Sequence, residues 1–214
     1  MNPGKKNLMS RIIECGRRAA EKGLIWANSG NISHRLDGER IIITGSGVFL
    51  GDLKDEDFTV VSLDVDHVEG EGSPSIETQM HTAFYKTREN AEAVFHSQAF
   101  FTTLVSCTAL EVANNLFPES MAYIHNVGRV PYHHPGSMEL AGAVAEKARN
   151  CDCIILSNHG AICAGDGLDS VMLKTETLEM LCRLIVLGNI DNIALNYLPL
   201  DVKDDFLEHL RHLK

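Results

Sequence analysis

No segment of this chain approaches the ~20 consecutive apolar residues a helix needs to cross a bilayer, so a membrane-spanning role is not expected. The opening residues, MNPGKKNLMSRIIECGRR, lack an apolar core followed by a small-residue cleavage site, which argues against a secretory signal. Positive charge is scarce as well: 19 Lys and Arg face 29 Asp and Glu, for a net charge of −10. Lys5, Lys6, Arg11, Arg17 and Arg18 are interspersed with apolar residues on one predicted helix, so no basic face for nucleic acid is expected. Such a chain would hold an anion in a local pocket and not across a broad surface.

Paired cysteine motifs are missing too. Cys15, Cys107, Cys151, Cys153, Cys163 and Cys182 lie mostly within apolar segments, as buried free thiols do. Cys151-x-Cys153 lacks the two-residue spacer of a zinc knuckle or redox pair, and alternate strand residues face opposite ways. A reducing cytosol is the compartment these thiols suggest. Repeats, low-complexity runs and linkers are absent, and 214 residues that are 44% hydrophobic suffice for one core, so a single domain over 1–214 is expected.

Residues 5–22 carry apolar positions at helical spacing and stop at Gly23, a helix C-terminal signal. Buried-strand patterns follow at 40–44 (RIIIT), 58–64 (FTVVSLD), 91–97 (AEAVFHS), 124–131 and 152–158 (DCIILSN). Helical patterns occupy Ser75 to about Arg88, AFFTTLVSC, 137–150 with Ser137 as N-cap, a long apolar stripe ending near Gly188, and DDFLEHLRHL. This irregular alternation of strands and helices predicts an α/β domain around a mixed sheet.

Chemistry-bearing residues cluster at the ends of these elements. In Asn28-Ser29-Gly30-Asn31, glycine lets successive backbone N–H groups converge on an anion while Asn and Ser add donors. Ser46-Gly47 offers the same, as does Ser75 as a helix N-cap. Together the three could hold one phosphate; singly, each reads equally as a turn or cap. Glu77 in a first helical turn is stabilised by the helix dipole, or serves as an acid/base beside a cation. His96 and Gln98 flank a strand-to-turn junction, where the turn breaks the alternation of faces. His159 precedes Gly160, whose freedom permits a bend aiming the imidazole into a cleft. Gln98 offers only a neutral amide oxygen, a harder donor than imidazole, so manganese or magnesium would compete with zinc.

The series SGNIS, ITGSG, SPSIE, MHTAFY, VFHSQ, PGSMELA and SNHGAI, in order over nearly the whole chain, resembles the class II aldolase/adducin family. Within it the chain is most similar to the fuculose-phosphate branch. The resemblance implies a three-layer α/β/α domain with a mixed, largely antiparallel sheet, assembled as a homotetramer with sites between subunits. It places metal ligands on His96 and His159, puts Gln98 where a third histidine is usual, and makes Glu77 the acid/base and a metal donor. The phosphate loops fall on Asn28, Gly30, Asn31, Ser46, Gly47 and Ser75, with Ile76 where a second serine is common. Tyr123 and Tyr132 are candidates for a tyrosine donated by a neighbouring subunit, and His133-His134 read as two exposed loop histidines.

The activity implied is zinc-dependent retro-aldol cleavage of a ketose 1-phosphate to dihydroxyacetone phosphate and a small aldehyde such as lactaldehyde. The same fold with decarboxylase, dehydratase or epimerase chemistry, or an adducin-like scaffold without catalysis, are the alternatives. Ligand chemistry makes one prediction: Gln98→His raises zinc affinity, read by chelator competition. Unchanged affinity means Gln98 does not face the site.

Overall fold

Successive side chains of a strand point to opposite faces, and here that alternation builds two cores on one sheet. Ile42, Phe95, Ile155 and Cys163 face one way, while Ile41, Ile43, Val94, Ile154 and Ile162 face the other. A computed structural model describes residues 3–70, 72–190 and 192–212 of the chain. Glu71 of the turn-rich stretch and Leu213 of the last helical pattern lie outside them.

The strands are β1 (Asn31–Arg35), β2 (Arg40–Thr44), β3 (Phe58–Ser62), β4 (Val68–Glu69), β5 (Ala93–Ser97), β6 (Val127–Val130), β7 (Cys153–Leu156) and β8 (Gly160–Gly165). They form one sheet in the order β4-β3-β2-β1-β5-β8-β7-β6. Among the described strands only β6 and β7 pair in parallel, and the helix α5 (Met138–Ala148) makes the crossover that a parallel connection requires. The helices α1 (Pro3–Glu21), α3 (Phe100–Ser106) and α6 (Leu168–Ile190) supply the first core through residues such as Ile12, Val105 and Leu178. The second core takes Met80 and Phe84 from α2 (Thr78–Thr87) and Leu140 and Val144 from α5. The result is the expected α/β/α layering around a mixed, largely antiparallel sheet. Two further helices, α4 (Pro118–Tyr123) and α7 (Leu200–His212), complete the described chain, in which no helix is long and apolar enough to cross a membrane.

Three local expectations need correction. The helix expected from Ser75 starts at Thr78, with Glu77 itself at the N-cap. The reason is a tight turn: Glu77 N–H donates to Ser75 Oγ at 3.2 Å and Thr78 N–H to the Ser75 carbonyl at 3.1 Å. The strand expected over 124–131 shrinks to Val127–Val130. Side chains take its first backbone groups: Asn114 Nδ2 donates to the Ile124 and His125 carbonyls, and the buried Asp152 carboxylate accepts from the His125 and Asn126 N–H groups. Residues 160–165, to which the sequence patterns assign no element, form a full strand β8 between β5 and β7.

β5 lies at the middle of the sheet and carries His96 at its end, so the packing of Phe95 holds that end in place. Phe95→Ala removes a fully buried ring and is expected to cost about 3–5 kcal/mol of unfolding free energy, measured by urea denaturation. A loss under about 1 kcal/mol would contradict this packing.

Candidate active site

The end of the sheet where β5 and β7 finish gathers most of the chain's chemistry. Glu77 enters from the N-cap of α2, His96 from the last turn of β5, and His159 from the three-residue hairpin between β7 and β8. Asn158 takes a left-handed φ of 58° in that hairpin, and Gly160 follows at φ 149°. A Cβ on Gly160 would sit 2.5 Å from the Ser97 carbonyl and 3.1 Å from Gln98 Cγ, so only glycine lets the hairpin close down on β5. Gly30, at φ 79°, plays the same part on the other side, where a Cβ would lie 2.8 Å from the His96 carbonyl.

One ligand atom from each of Glu77, His96 and His159 lies within 4.8 Å of the others. His96 Nε2 stands 3.4 Å from Glu77 Oε2, and His159 Nε2 stands 3.1 Å from Glu77 Oε1. Neither contact has hydrogen-bond geometry: Glu77 Oε1 and His96 Nε2 are buried without a hydrogen-bond partner. Buried polar atoms are rarely left so. His96 Nδ1 faces the Ala161 carbonyl at 2.9 Å, which can only accept, so Nδ1 carries the proton and Nε2 the lone pair. Burial also drives His96 toward its neutral form. Burial alone would raise the carboxyl of Glu77, but the neighbouring His96 and His159 and the Asn31 hydrogen bond hold it well below the usual carboxylate range. An ionised, buried carboxylate beside a buried imidazole lone pair is a donor set that fits a divalent cation.

Behind Glu77 lies a polar layer that the sequence patterns did not reveal. Asn31 Nδ2 donates to Glu77 Oε2 at 2.8 Å, and Asn31 Oδ1 meets His81 Nε2 at 2.5 Å. His81 Nδ1 lies 2.7 Å from Ser33 Oγ, which lies 2.8 Å from the Tyr85 hydroxyl. His81, Ser33 and Tyr85 are buried, and burial pushes the His81 imidazole down to about 3, so it is neutral. The available signal was a histidine on the apolar face of α2, one turn before Tyr85, opposite two polar residues at alternate positions of β1.

The turns whose residues suggest anion donors lie at the same end. Ser46 N–H donates to the Ser73 carbonyl at 3.0 Å, Gly45 bridges Pro74, and Asn31 reaches Glu77. The segments bearing Asn28, Gly30 and Asn31, Ser46 and Gly47, and Ser75 therefore border one region beside Glu77. One N–H of the Asn31 amide remains after its bond to Glu77, and Ser75 keeps its hydroxyl proton, since its Oγ accepts from Glu77. Gln98 lies against the His159–Gly160 bend and lines an apolar groove with Ile25, Trp26, Phe100 and Leu104. Its amide hydrogen-bonds none of Glu77, His96 and His159. Tyr132 and His134 sit exposed in the loop after β6, with the hydroxyl 3.2 Å from His134 Nδ1; Tyr123 is exposed at the end of α4.

Comparison with known proteins identifies the family. Residues 10–186 match the family model described as the class II aldolase and adducin N-terminal domain. The chain is 31% identical to an L-fuculose phosphate aldolase of Methanocaldococcus jannaschii over 83% of its own length and 95% of the relative's. It is 32% identical to a 3-oxo-tetronate 4-phosphate decarboxylase of Haemophilus influenzae, covering 81% of this chain and 84% of that one. A crystal structure of a putative aldolase/epimerase/decarboxylase from Klebsiella pneumoniae superposes with a TM-score of 0.87 at 27% identity, covering 94% and 98% of the two chains.

The glycine at the hairpin provides a direct check. Gly160→Ala is expected to cost about 1–3 kcal/mol in stability through strain at a left-handed position. By displacing His159 it should also weaken divalent-metal binding about 10-fold or more. Calorimetric metal titration of the folded variant reads the second effect; unaltered affinity would mean that His159 is not a ligand.

Proposed function

The chain belongs to the class II aldolase and adducin family and is a carbon–carbon lyase of the metal-dependent kind, and we propose that it cleaves a ketose 1-phosphate of the L-fuculose type by a retro-aldol reaction. The products are dihydroxyacetone phosphate and a small aldehyde such as lactaldehyde. The observation that carries this reading is the cluster of Glu77, His96 and His159 with its buried unpartnered atoms, set beside the segments that bear Asn31, Ser46 and Ser75. A scaffold without catalysis would have no use for a desolvated carboxylate kept ionised.

His96, His159 and Glu77 would hold the metal, for which zinc is our assignment, with Gln98 admitting manganese or magnesium. When bound, the metal supplies Lewis-acid stabilisation of negative charge developing on the substrate's carbonyl oxygen. The protein's residues do the rest. Backbone N–H groups and side chains of Asn28, Gly30, Asn31, Ser46, Gly47 and Ser75 bind the phosphate and orient the sugar. As the carbon–carbon bond breaks, the hydroxyl on the departing side gives its proton to the ionised Glu77 carboxylate and becomes the aldehyde. The electron pair passes to the neighbouring carbon, and Glu77 returns that proton there. Glu77 is suited to both directions because burial brings it against the reacting atoms while its neighbours keep it charged beforehand.

Decarboxylation is the second reading, favoured by a relative of equal similarity that is named for a phosphorylated 3-oxo acid. It uses the same phosphate cradle and the same stabilisation of charge, with carbon dioxide leaving in place of the aldehyde. We also propose a four-fold tetramer; the exposed Trp26 and Phe100 beside the site support a subunit contact there. A reducing cytoplasm suits six free cysteines.

Purified protein incubated with L-fuculose 1-phosphate is expected to release dihydroxyacetone phosphate, to lose that activity on chelation, and to regain it with zinc or manganese. Glu77→Gln should lower kcat at least about 100-fold. Carbon dioxide release from a 3-oxo-tetronate 4-phosphate, without cleavage of the ketose phosphate, would move the assignment to the second reading. Activity indifferent to chelation would sink both.

A further inference from the structure

The donors behind Glu77 all run one way, and the direction follows from the atoms alone. The Glu77 carboxylate can only accept, so the Asn31 amide presents Nδ2 to it and Oδ1 to His81. Oδ1 can only accept in turn, so His81 carries its proton on Nε2. That leaves His81 Nδ1 as an acceptor for the Ser33 hydroxyl, and Ser33 Oγ as an acceptor for the Tyr85 hydroxyl. Each donor in the series Tyr85, Ser33, His81, Asn31 therefore points toward the carboxylate, and each bond polarises the next. Reversing any member would set two acceptors or two donors against each other in a buried space, at the cost of an unmade bond.

The chain ends on one oxygen only. Oε2 of Glu77 accepts from Asn31, whereas Oε1 faces His159 Nε2 and has no hydrogen-bond partner. We infer that Asn31 and His81 are positioning residues that tie down Oε2, leaving Oε1 as the oxygen that meets the reacting carbon. His81 touches no reacting group; it acts by denying Asn31 the flipped orientation, in which the amide carbonyl would repel the carboxylate. Asn31 thus has two duties, one N–H on Glu77 and the other free for the phosphate, and His81 keeps both available. This inference rests on the reading of Glu77 as the group that moves the proton.

Two measurements test it. In the wild-type holoprotein, nitrogen-15 NMR of the histidine side chains should show His81 protonated on Nε2; an Nδ1-protonated His81 overturns the chain without any variant. His81→Leu should lower kcat about 10- to 100-fold with KM for the sugar phosphate within about twofold of wild type. His81→Gln, whose amide can still donate to Asn31 Oδ1, should recover most of the loss; Tyr85→Phe, at the far end, should change kcat by less than about threefold. Equal loss in His81→Leu and His81→Gln, or a rise in KM alone, overturns positioning in favour of simple packing. Glu77→Gln run in parallel separates the two levels. If it is fully active, the reading of Glu77 fails; if it is inactive while His81→Leu is fully active, only the inference fails.

Discussion

A carboxylate taken out of water and still kept charged is the constraint around which this site is built. Glu77 is 5% exposed, and an ionised carboxylate at that depth is very unfavourable unless positive charge or donors replace its lost hydration. Here they come from three sides. The N-cap position of α2 places the helix dipole's positive end at Glu77. Asn31 donates from behind, and the flank where His96 and His159 stand is left to a cation, since His96 presents a lone pair there. A divalent cation held by the three ligands would complete the neutralisation and supply Lewis-acid stabilisation.

That requirement explains the local architecture. The polar residues lie on the α2 face of the sheet, where β1 alternates Asn31 and Ser33 against Ile32 on the other face, and β5 sets His96 beside Asn31 in register. Gly30 and Gly160 permit the two close approaches that bracket His96, and both sit at backbone angles that disfavour other residues. The first core packs α1, α3 and α6 against the opposite face, and the second core surrounds the polar residues with apolar ones from α2 and α5.

Much of this was legible in the chain. The apolar runs at 40–44 and 93–97 read as buried strands, and their alternating residues Ile41, Ile42, Ile43, Ala93, Val94 and Phe95 divide between the two cores. His159 was recognisable from its place at a strand end before glycine. What escaped was non-local. Asn31 read as a phosphate donor because a Gly-Asn turn suggests one, yet its bond to Glu77 joins residues 46 apart. His81 stood unremarked within MHTAFY, and nothing in its spacing announced a partner on β1. Ser75 satisfied the residue preference of a helix cap, but it closes a turn ahead of the helix and leaves Glu77 at the cap itself. The strand of residues 160–165 was hidden because its small residues, Gly160, Ala161, Ala164 and Gly165, carry little β signal; its pairing on both sides makes it a strand. Gln98 remains the residue that departs from the family's pattern. It lies against the His159 bend and on an apolar groove, so its identity touches both the metal and the surface beside it.

The central claim is that Glu77, His96 and His159 are the cation site of a working lyase. X-ray absorption spectroscopy on protein loaded with one equivalent of zinc tests it most directly. The account predicts a first shell of nitrogen and oxygen donors with the multiple-scattering signature of two imidazoles, lost from His96→Ala and His159→Ala proteins. A shell containing sulfur, or one unchanged by those substitutions, would contradict it.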